Sequence, residues 1–329
     1  MKRSPRLAMM LLPGLDHFTA DLLARLPDAS GWEVRPFRVT SQATLAEALG
    51  WLDDPACDAI WFEFCWPPFP QWIATADFGG RRVIVRVHRI EAVETDHVAN
   101  TSWAKVDDVI VVSPDMHTRV LAVAPEIAFT SRLHLVPNGI DTERFRPSDS
   151  WNPHRIGWCG LMTLRKNPTL ALQILARLRA IDERYEMHMC GMGGEKLAEE
   201  SFQYLSHQMG LDCAIHRDGC IEQANMPAWH AANGVLLHTS LHEGLSYAIL
   251  EAAASGCGLA ILDCPGALDY IPKKAIFQTI DGAVQIILKA QKNEIRNHIL
   301  SSYQIKYNIE KISAILKQRA LFDLGVDRV

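Results

Sequence analysis

The chain has 329 residues, 48% of them hydrophobic and 22% charged, the balance of a globular enzyme rather than of a disordered or membrane-embedded protein. That length exceeds the size at which one core usually stops growing, so two domains are expected. A formal net charge of -5 supplies no global basic field and argues against nucleic acid as a partner.

The chain opens with Met1–Arg6 and the apolar run Leu7–Leu12, which superficially resemble the start of a leader peptide. The run is too short to cross a bilayer and meets Pro13, Gly14 and Asp16 instead of a cleavage site. A first β-strand explains it better, and no other stretch is long and apolar enough to be a membrane span. Further strands are predicted at Trp32–Val39, Ala59–Cys65, Arg82–His88, Val109–Ser113 and Leu133–Val136, with helices at Phe18–Leu26 and Leu45–Leu52. Apolar strands separated by helices indicate a parallel sheet covered on both faces. The segment Trp61–Trp72 starts as a strand and is expected to end as a rigid, proline-bearing loop. Its aromatic side chains suit core and rim packing, and could alternatively stack on an acceptor sugar or face a membrane.

After Pro137–Pro153, rich in Pro, Asn, Asp and Ser, the rhythm repeats. Strands are predicted at Arg155–Cys159, Glu186–Cys190, Ala214–Arg217, Gly234–His238, Gly258–Leu262 and Ala275–Gln278, with helices at Thr169–Ile181, Lys196–Met209 and Tyr247–Ser255. The expected division is 1–148 and 149–329, two doubly wound α/β domains. The helical stretch Ala283–Phe322 is expected to pack across the joint, back on the first domain. Such sheets bind ligands beyond the carboxyl ends of their strands, and two facing domains make a cleft. The turn Gly191-Met192-Gly193-Gly194 either lines that cleft or is simply tight.

Eight cysteines occur, at positions 57, 65, 159, 190, 213, 220, 257 and 264, none of them in a C-x-x-C pair. Most of them read as core residues in a reducing, cytoplasmic compartment. No cysteine or histidine spacing forms a zinc motif, and no metal is expected.

The segment His242-Glu243-Gly244-Leu245-Ser246-Tyr247 follows the apolar run Val235–Leu237 and leads into good helix formers ending at Gly256. Ser246 is a fair N-cap. The amides of Gly244, Leu245 and Ser246 would then point out of a helix N-terminus, a ready acceptor for anionic oxygen. Glu243 lies in the loop and Glu251 inside the helix, where each can accept hydrogen bonds from sugar hydroxyls. Pattern alone favours a capped amphipathic helix with Glu251 on its solvated face.

Glu243 and Glu251, with seven residues between them, resemble the Glu-x7-Glu signature of retaining glycosyltransferases of family 4. Val136-Pro137-Asn138-Gly139-Ile140-Asp141 and Phe145-x-Pro147 resemble that family's lead into its second domain, and Arg82–His88 and Val109–Ser113 its preceding strands. The resemblance covers Arg82 to about Tyr270, and Met1–Gly80 only by rhythm. It implies the GT-B fold, two Rossmann-like domains facing across a cleft. It also implies a metal-independent hexosyl transfer from a UDP- or GDP-sugar, with no cofactor beyond that co-substrate. By its analogy Glu251 receives the ribose, Glu243 lies against the transferred sugar, and Lys166 with Arg165, after Gly160, grips the diphosphate. His88 would reach the donor sugar from the first domain. Gly14, Asp16 with the neighbouring His17, and Glu91 are the acceptor-side candidates.

Departures are Leu161 where the family often has Arg, Gly258 where proline is common, and one glycine, Gly14, where a Gly-rich loop is usual. The reading is a transferase building bacterial surface polysaccharide on a glycan or lipid-linked acceptor, cytoplasmic and touching the membrane's inner face at most peripherally. The alternative is an inactive nucleotide-sugar-binding partner subunit on the same fold.

Overall fold

The computed structural model describes residues 3–14, 16–52, 54, 56–191 and 193–318. Two compact units divide it, one of Met1–Gly139 with Ile305–Val329 and one of Ile140–Gln304.

The first unit holds β1 (Arg6–Leu11), β2 (Glu33–Arg38), β3 (Cys57–Phe62), β4 (Arg82–Arg86), β5 (Asp108–Val111) and β6 (Arg132–Leu135). They form one sheet in the order β2-β1-β3-β4-β5-β6, parallel throughout. The order reverses between β1 and β3. The inner strands β1, β3, β4 and β5 are buried on both faces, as a helix-covered parallel sheet requires, while the edge strands β2 and β6 are largely exposed or half-buried. One departure from expectation is the helix Phe69–Thr75, where a rigid loop was predicted. Pro70 sits in its first turn, where a missing N–H costs nothing. Phe62 packs on the rings of Phe69, Trp72 and Phe78, so this aromatic cluster serves the core.

The closing helix Ile305–Lys317 belongs to this unit. Ile305, Ile309, Ile312 and Leu316 recur at helical spacing and join the core of Leu7, Leu22 and Ile84. Arg82 donates to the carbonyls of Ile315, at 2.6 Å, and Gln318, at 3.0 Å, placing a cation at the negative end of the helix. Part of the predicted stretch Ala283–Phe322, from residue 319 on, lies outside the described residues.

The second unit holds β7 (Asn152–Cys159), β8 (Glu186–Cys190), β9 (Ile215–Gly219), β10 (Asn233–His238), β11 (Gly258–Leu262) and β12 (Ile276–Phe277). Its sheet runs β12-β11-β10-β7-β8-β9, again parallel, and the order reverses between β7 and β10. Alternate residues, including Ile156, Met187, Met189, Val235 and Leu237, face a core shared with the helices Pro168–Arg179, Lys196–Gln208 and Ile280–Lys289.

Five cysteines are buried, as expected for most of them, and Cys213 and Cys220 are exposed. No helix among the described residues is long and apolar enough to cross a membrane.

Candidate functional site

Carboxyl ends of parallel strands beside a reversal point are where a doubly wound sheet leaves a crevice. In the second unit those strands are β7 and β10. β7 runs into a loop ending in the 3-10 turn Leu164–Lys166, and β10 into the loop carrying Glu243. The two loops are tied together: the Leu241 N–H donates to Arg165 O at 2.9 Å, and Thr239 Oγ1 donates to Lys166 O at 2.7 Å.

That tie brings three of the predicted residues into contact. Lys166 Nζ lies 2.6 Å and Arg165 Nη1 2.9 Å from Glu243 Oε1. His238 Nε2, at the end of β10, is 3.5 Å from the same oxygen. Burial pushes the Glu243 carboxyl up, but Lys166, His238 and Arg165 outweigh it and hold the group well below the usual carboxylate range. Burial pushes the His238 imidazole down, and Lys166 and Arg165 add to that against the pull of Glu243. Two fixed cations therefore share one carboxylate.

The helix Tyr247–Ala254 starts directly after this loop, with Ser246 at the N-cap position. The Ser246 hydroxyl does not cap the helix. Its N–H instead donates to Tyr270 Oη at 3.4 Å, so of the three amides expected to point outward this one already has a protein acceptor. Gly244 and Leu245, like Ser246, are buried. Glu251 is buried as well, so the solvated-helix reading is corrected. Its carboxylate accepts from Gln223 Nε2 at 3.1 Å and lies 3.3 Å from His230 Nε2. Burial pushes this carboxyl up, yet His230, Gln223 and Arg144 together keep it below its ordinary value.

Gly160 ends up under Lys166. A Cβ on it would sit 3.1 Å from Lys166 Cε and 3.2 Å from Cδ. A Cβ on Gly191 would collide with the carbonyl of Gly160, and one on Gly194 with that of Met162. The glycine turn thus packs against the cation-bearing loop; its Met192 lies outside the described residues. Leu161 is 54% exposed and adds no charge here.

The remaining candidates belong to the first unit. His88 follows β4, with Nε2 3.0 Å from Glu63 O and 3.2 Å from Glu63 Oε1, and its ring stacks on Phe64 at 4.4 Å. Glu63 also binds Arg86 at 2.9 Å, both side chains fully buried. Glu91 is not free to meet an acceptor. It is fully buried and accepts the backbone N–H groups of Cys65, at 2.9 Å, and His88, at 3.1 Å; burial pushes its carboxyl up. Gly14 is an exposed turn residue with φ of 82°. Asp16 pairs with Arg38 at 2.7 Å and makes no side-chain cap. The side chain of His17 lies outside the described ones.

Sequence reasoning assigned no role to His238, His230, Gln223 or Tyr270. Gln223 precedes β10 and Tyr270 follows β11, and no local pattern marks them; only the folded sheet brings them to the two glutamates.

Residues 153–299 match the profile of the family described as glycosyl transferases group 1. No curated protein matches the chain in sequence. Among solved structures, the chain is similar to sucrose-phosphate synthase of Thermosynechococcus elongatus (TM-score 0.75, 15% identity, 98% of this chain and 100% of that one). It is also similar to Anabaena HepE, solved with UDP and glucose (TM-score 0.74, 14% identity, 94% of this chain and 99% of that one). A third similar structure is the pneumococcal O-GlcNAc transferase GtfA with UDP and GlcNAc (TM-score 0.65, 17% identity, 84% of this chain and 60% of that one). The chain has the GT-B fold, and its second unit carries the segment that matches group 1 glycosyl transferases.

Proposed function

We propose that the protein is a retaining, metal-independent glycosyltransferase that moves a hexosyl group from a UDP- or GDP-sugar to a glycan or lipid-linked acceptor. The observation that carries this reading is the pair of cations, Lys166 and Arg165, gathered on Glu243 beside the N-terminus of the helix that holds Glu251. Breaking a sugar–phosphate bond leaves a diphosphate whose growing charge needs preorganised positive groups. Lys166, Arg165 and the helix amides supply them. Glu251, fixed by His230 and Gln223, is aimed to receive ribose hydroxyls, and Glu243 lies against the transferred sugar. His88 contributes a donor or acceptor for a sugar hydroxyl. In the absence of an obvious enzyme nucleophile, same-face displacement assisted by the leaving diphosphate is the expected route. The match of residues 153–299 and the UDP-sugar complexes of similar structures support the donor class. Synthesis of bacterial surface polysaccharide in the cytoplasm, at the membrane's inner face, is proposed by analogy.

The test is incubation with a panel of nucleotide sugars, following released nucleotide, with Glu243→Ala and Glu251→Ala alongside. Transfer should vanish in the first variant, and nucleotide binding should weaken in the second. Unchanged activity in both overturns the assignment. The exposed Leu161, where the family often has Arg, favours the alternative of an inactive binding subunit. Nucleotide binding without nucleotide release from any donor would select it.

A further inference from the structure

A second cluster lies in the same sheet, away from the carboxyl-end crevice. Glu186 opens β8, His188 follows two residues on, and His216 is the second residue of β9. His188 and His216 are partners in the parallel ladder, so their side chains leave the same face side by side. The two imidazoles stack with centroids 4.4 Å apart and planes 16° apart. Glu186 Oε2 lies 3.2 Å from His216 Nε2 and 4.0 Å from His188 Nε2, and one ligand atom from each residue falls within 4.8 Å of the others.

We propose that Glu186, His188 and His216 form a site for one divalent late first-row transition ion of the Zn²⁺ class, with water in the fourth position. Three observations carry it. The spacing is close: bonds of about 2.0–2.1 Å in a tetrahedral site put donor atoms about 3.3–3.4 Å apart, the two carboxylate–imidazole separations bracket that, and a turn of one stacked ring about its Cβ–Cγ bond brings both Nε2 lone pairs onto one ion. The outer support is present. His188 Nδ1 lies 3.2 Å from Asp218 Oδ2, and Asp218 is itself held by Trp229 Nε1 at 2.6 Å. A carboxylate on the far nitrogen fixes the tautomer that leaves Nε2 free to ligate, the usual arrangement behind a ligating histidine. Finally, His216 Nε2 is shut off from solvent and makes no hydrogen bond, a buried polar atom that a metal would satisfy. Arg155 Nη2, 3.6 Å from Asp218 Oδ2, is the nearby cation, and it pairs with the supporting carboxylate. The site clips β9, the edge strand, to β8, and its chemistry is independent of the proposed transfer reaction.

The test is a Co²⁺ titration of the full-length protein near neutral pH, followed by visible absorption, with Zn²⁺ as competitor. The expected result is one equivalent bound, ligand-field bands without a thiolate charge-transfer band, and displacement by Zn²⁺. The double variant His188→Ala/His216→Ala should lose that equivalent. Asp218→Asn should weaken it about 10-fold to 100-fold, the usual cost of losing such support. Glu186→Gln, at an exposed strand end, removes a ligand with little risk to folding and should lower affinity at least about tenfold. Binding carried by thiolates, as the exposed Cys213 and Cys220 would give, or unchanged affinity in Glu186→Gln, overturns the proposal.

Discussion

Lys166 Nζ and Glu243 Oε1 lie 2.6 Å apart in the second unit, so the carboxylate assigned to the sugar already neutralises a cation assigned to the diphosphate. A bound diphosphate must draw Lys166 and Arg165 away from Glu243, and the two anions compete for the same charge. Glu243→Gln removes the competitor while keeping the shape. The variant should lose transfer yet bind the free nucleoside diphosphate about tenfold more tightly, about 1.4 kcal/mol. Calorimetric titration measures this, and weaker binding in Glu243→Gln would refute the competition. Lys166→Ala should instead lower kcat/KM by about 10²–10³-fold, the usual cost of one preorganised donor at a developing anion.

Glu251 invites a different outcome, because its partners are His230 and Gln223 rather than the two loop cations. Glu251→Ala should raise the Kd for nucleotide about 10-fold to 100-fold through lost hydrogen bonds to the ribose. It also strands His230, fully buried against it, which should cost about 1–3 kcal/mol of stability. Gln223→Ala keeps the carboxylate and its histidine, so its effect on nucleotide affinity should be several-fold smaller. Thermal shift with and without nucleotide separates the two effects.

Much of this was legible in the sequence because apolar runs of a doubly wound sheet are short, continuous and separated by helices. All twelve predicted strands are present, two with the predicted bounds and the others shifted by no more than three residues at an end. Glu243, Lys166 and Arg165 could be placed near one another because strand-end loops of one sheet converge. The side chains that hold them could not. His230 and His238 look like ordinary helix and strand histidines until the register is known. The Glu186–His188–His216 cluster was missed for the same reason: residues 188 and 216 are far apart in sequence, and only ladder pairing makes them neighbours. Glu91 was misread outward because its capping of the turn after β4, through the His88 and Cys65 amides, leaves no periodic trace.

Asp108 gives the first unit a pH signature. Its fully buried carboxylate contacts Arg82 at 2.5 Å, His134 at 2.7 Å and Arg132 at 3.0 Å. Burial alone would push the group up, but His134, Arg82 and Arg132 bring it down to about 2. A folded-state value below the unfolded one stabilises at high pH. The contribution, about 2 kcal/mol, is complete above about pH 5 and lost progressively as pH falls through about 4 toward 2. Asp108→Asn should therefore flatten the acid limb of the stability profile. It should also cost about 3–5 kcal/mol near neutrality, since Arg82 stays buried without its countercharge. Urea unfolding at a series of pH values checks both, and a variant with an unchanged acid limb would contradict the assignment.

Gly160 and Gly191 separate function from stability within one loop pair. The Cβ of Gly160→Ala would meet only the flexible stem of Lys166, at 3.1 and 3.2 Å. The stem can yield by a few tenths of an ångström, but the φ of 158° is one that residues with a side chain rarely adopt, so the cost should be about 1 kcal/mol, below that of Gly191→Ala. That shift, however, moves Nζ from the position where it meets Glu243, and nucleotide affinity should fall several-fold. Gly191→Ala has no such escape. Its Cβ would strike the backbone carbonyl of Gly160, and its φ of 114° is one that residues with a side chain rarely adopt. The cost should reach about 2–3 kcal/mol, seen as a lower urea midpoint with an unchanged m-value. If Gly160→Ala were instead the more destabilising of the two and left nucleotide binding intact, the Lys166 stem would not be what this glycine accommodates.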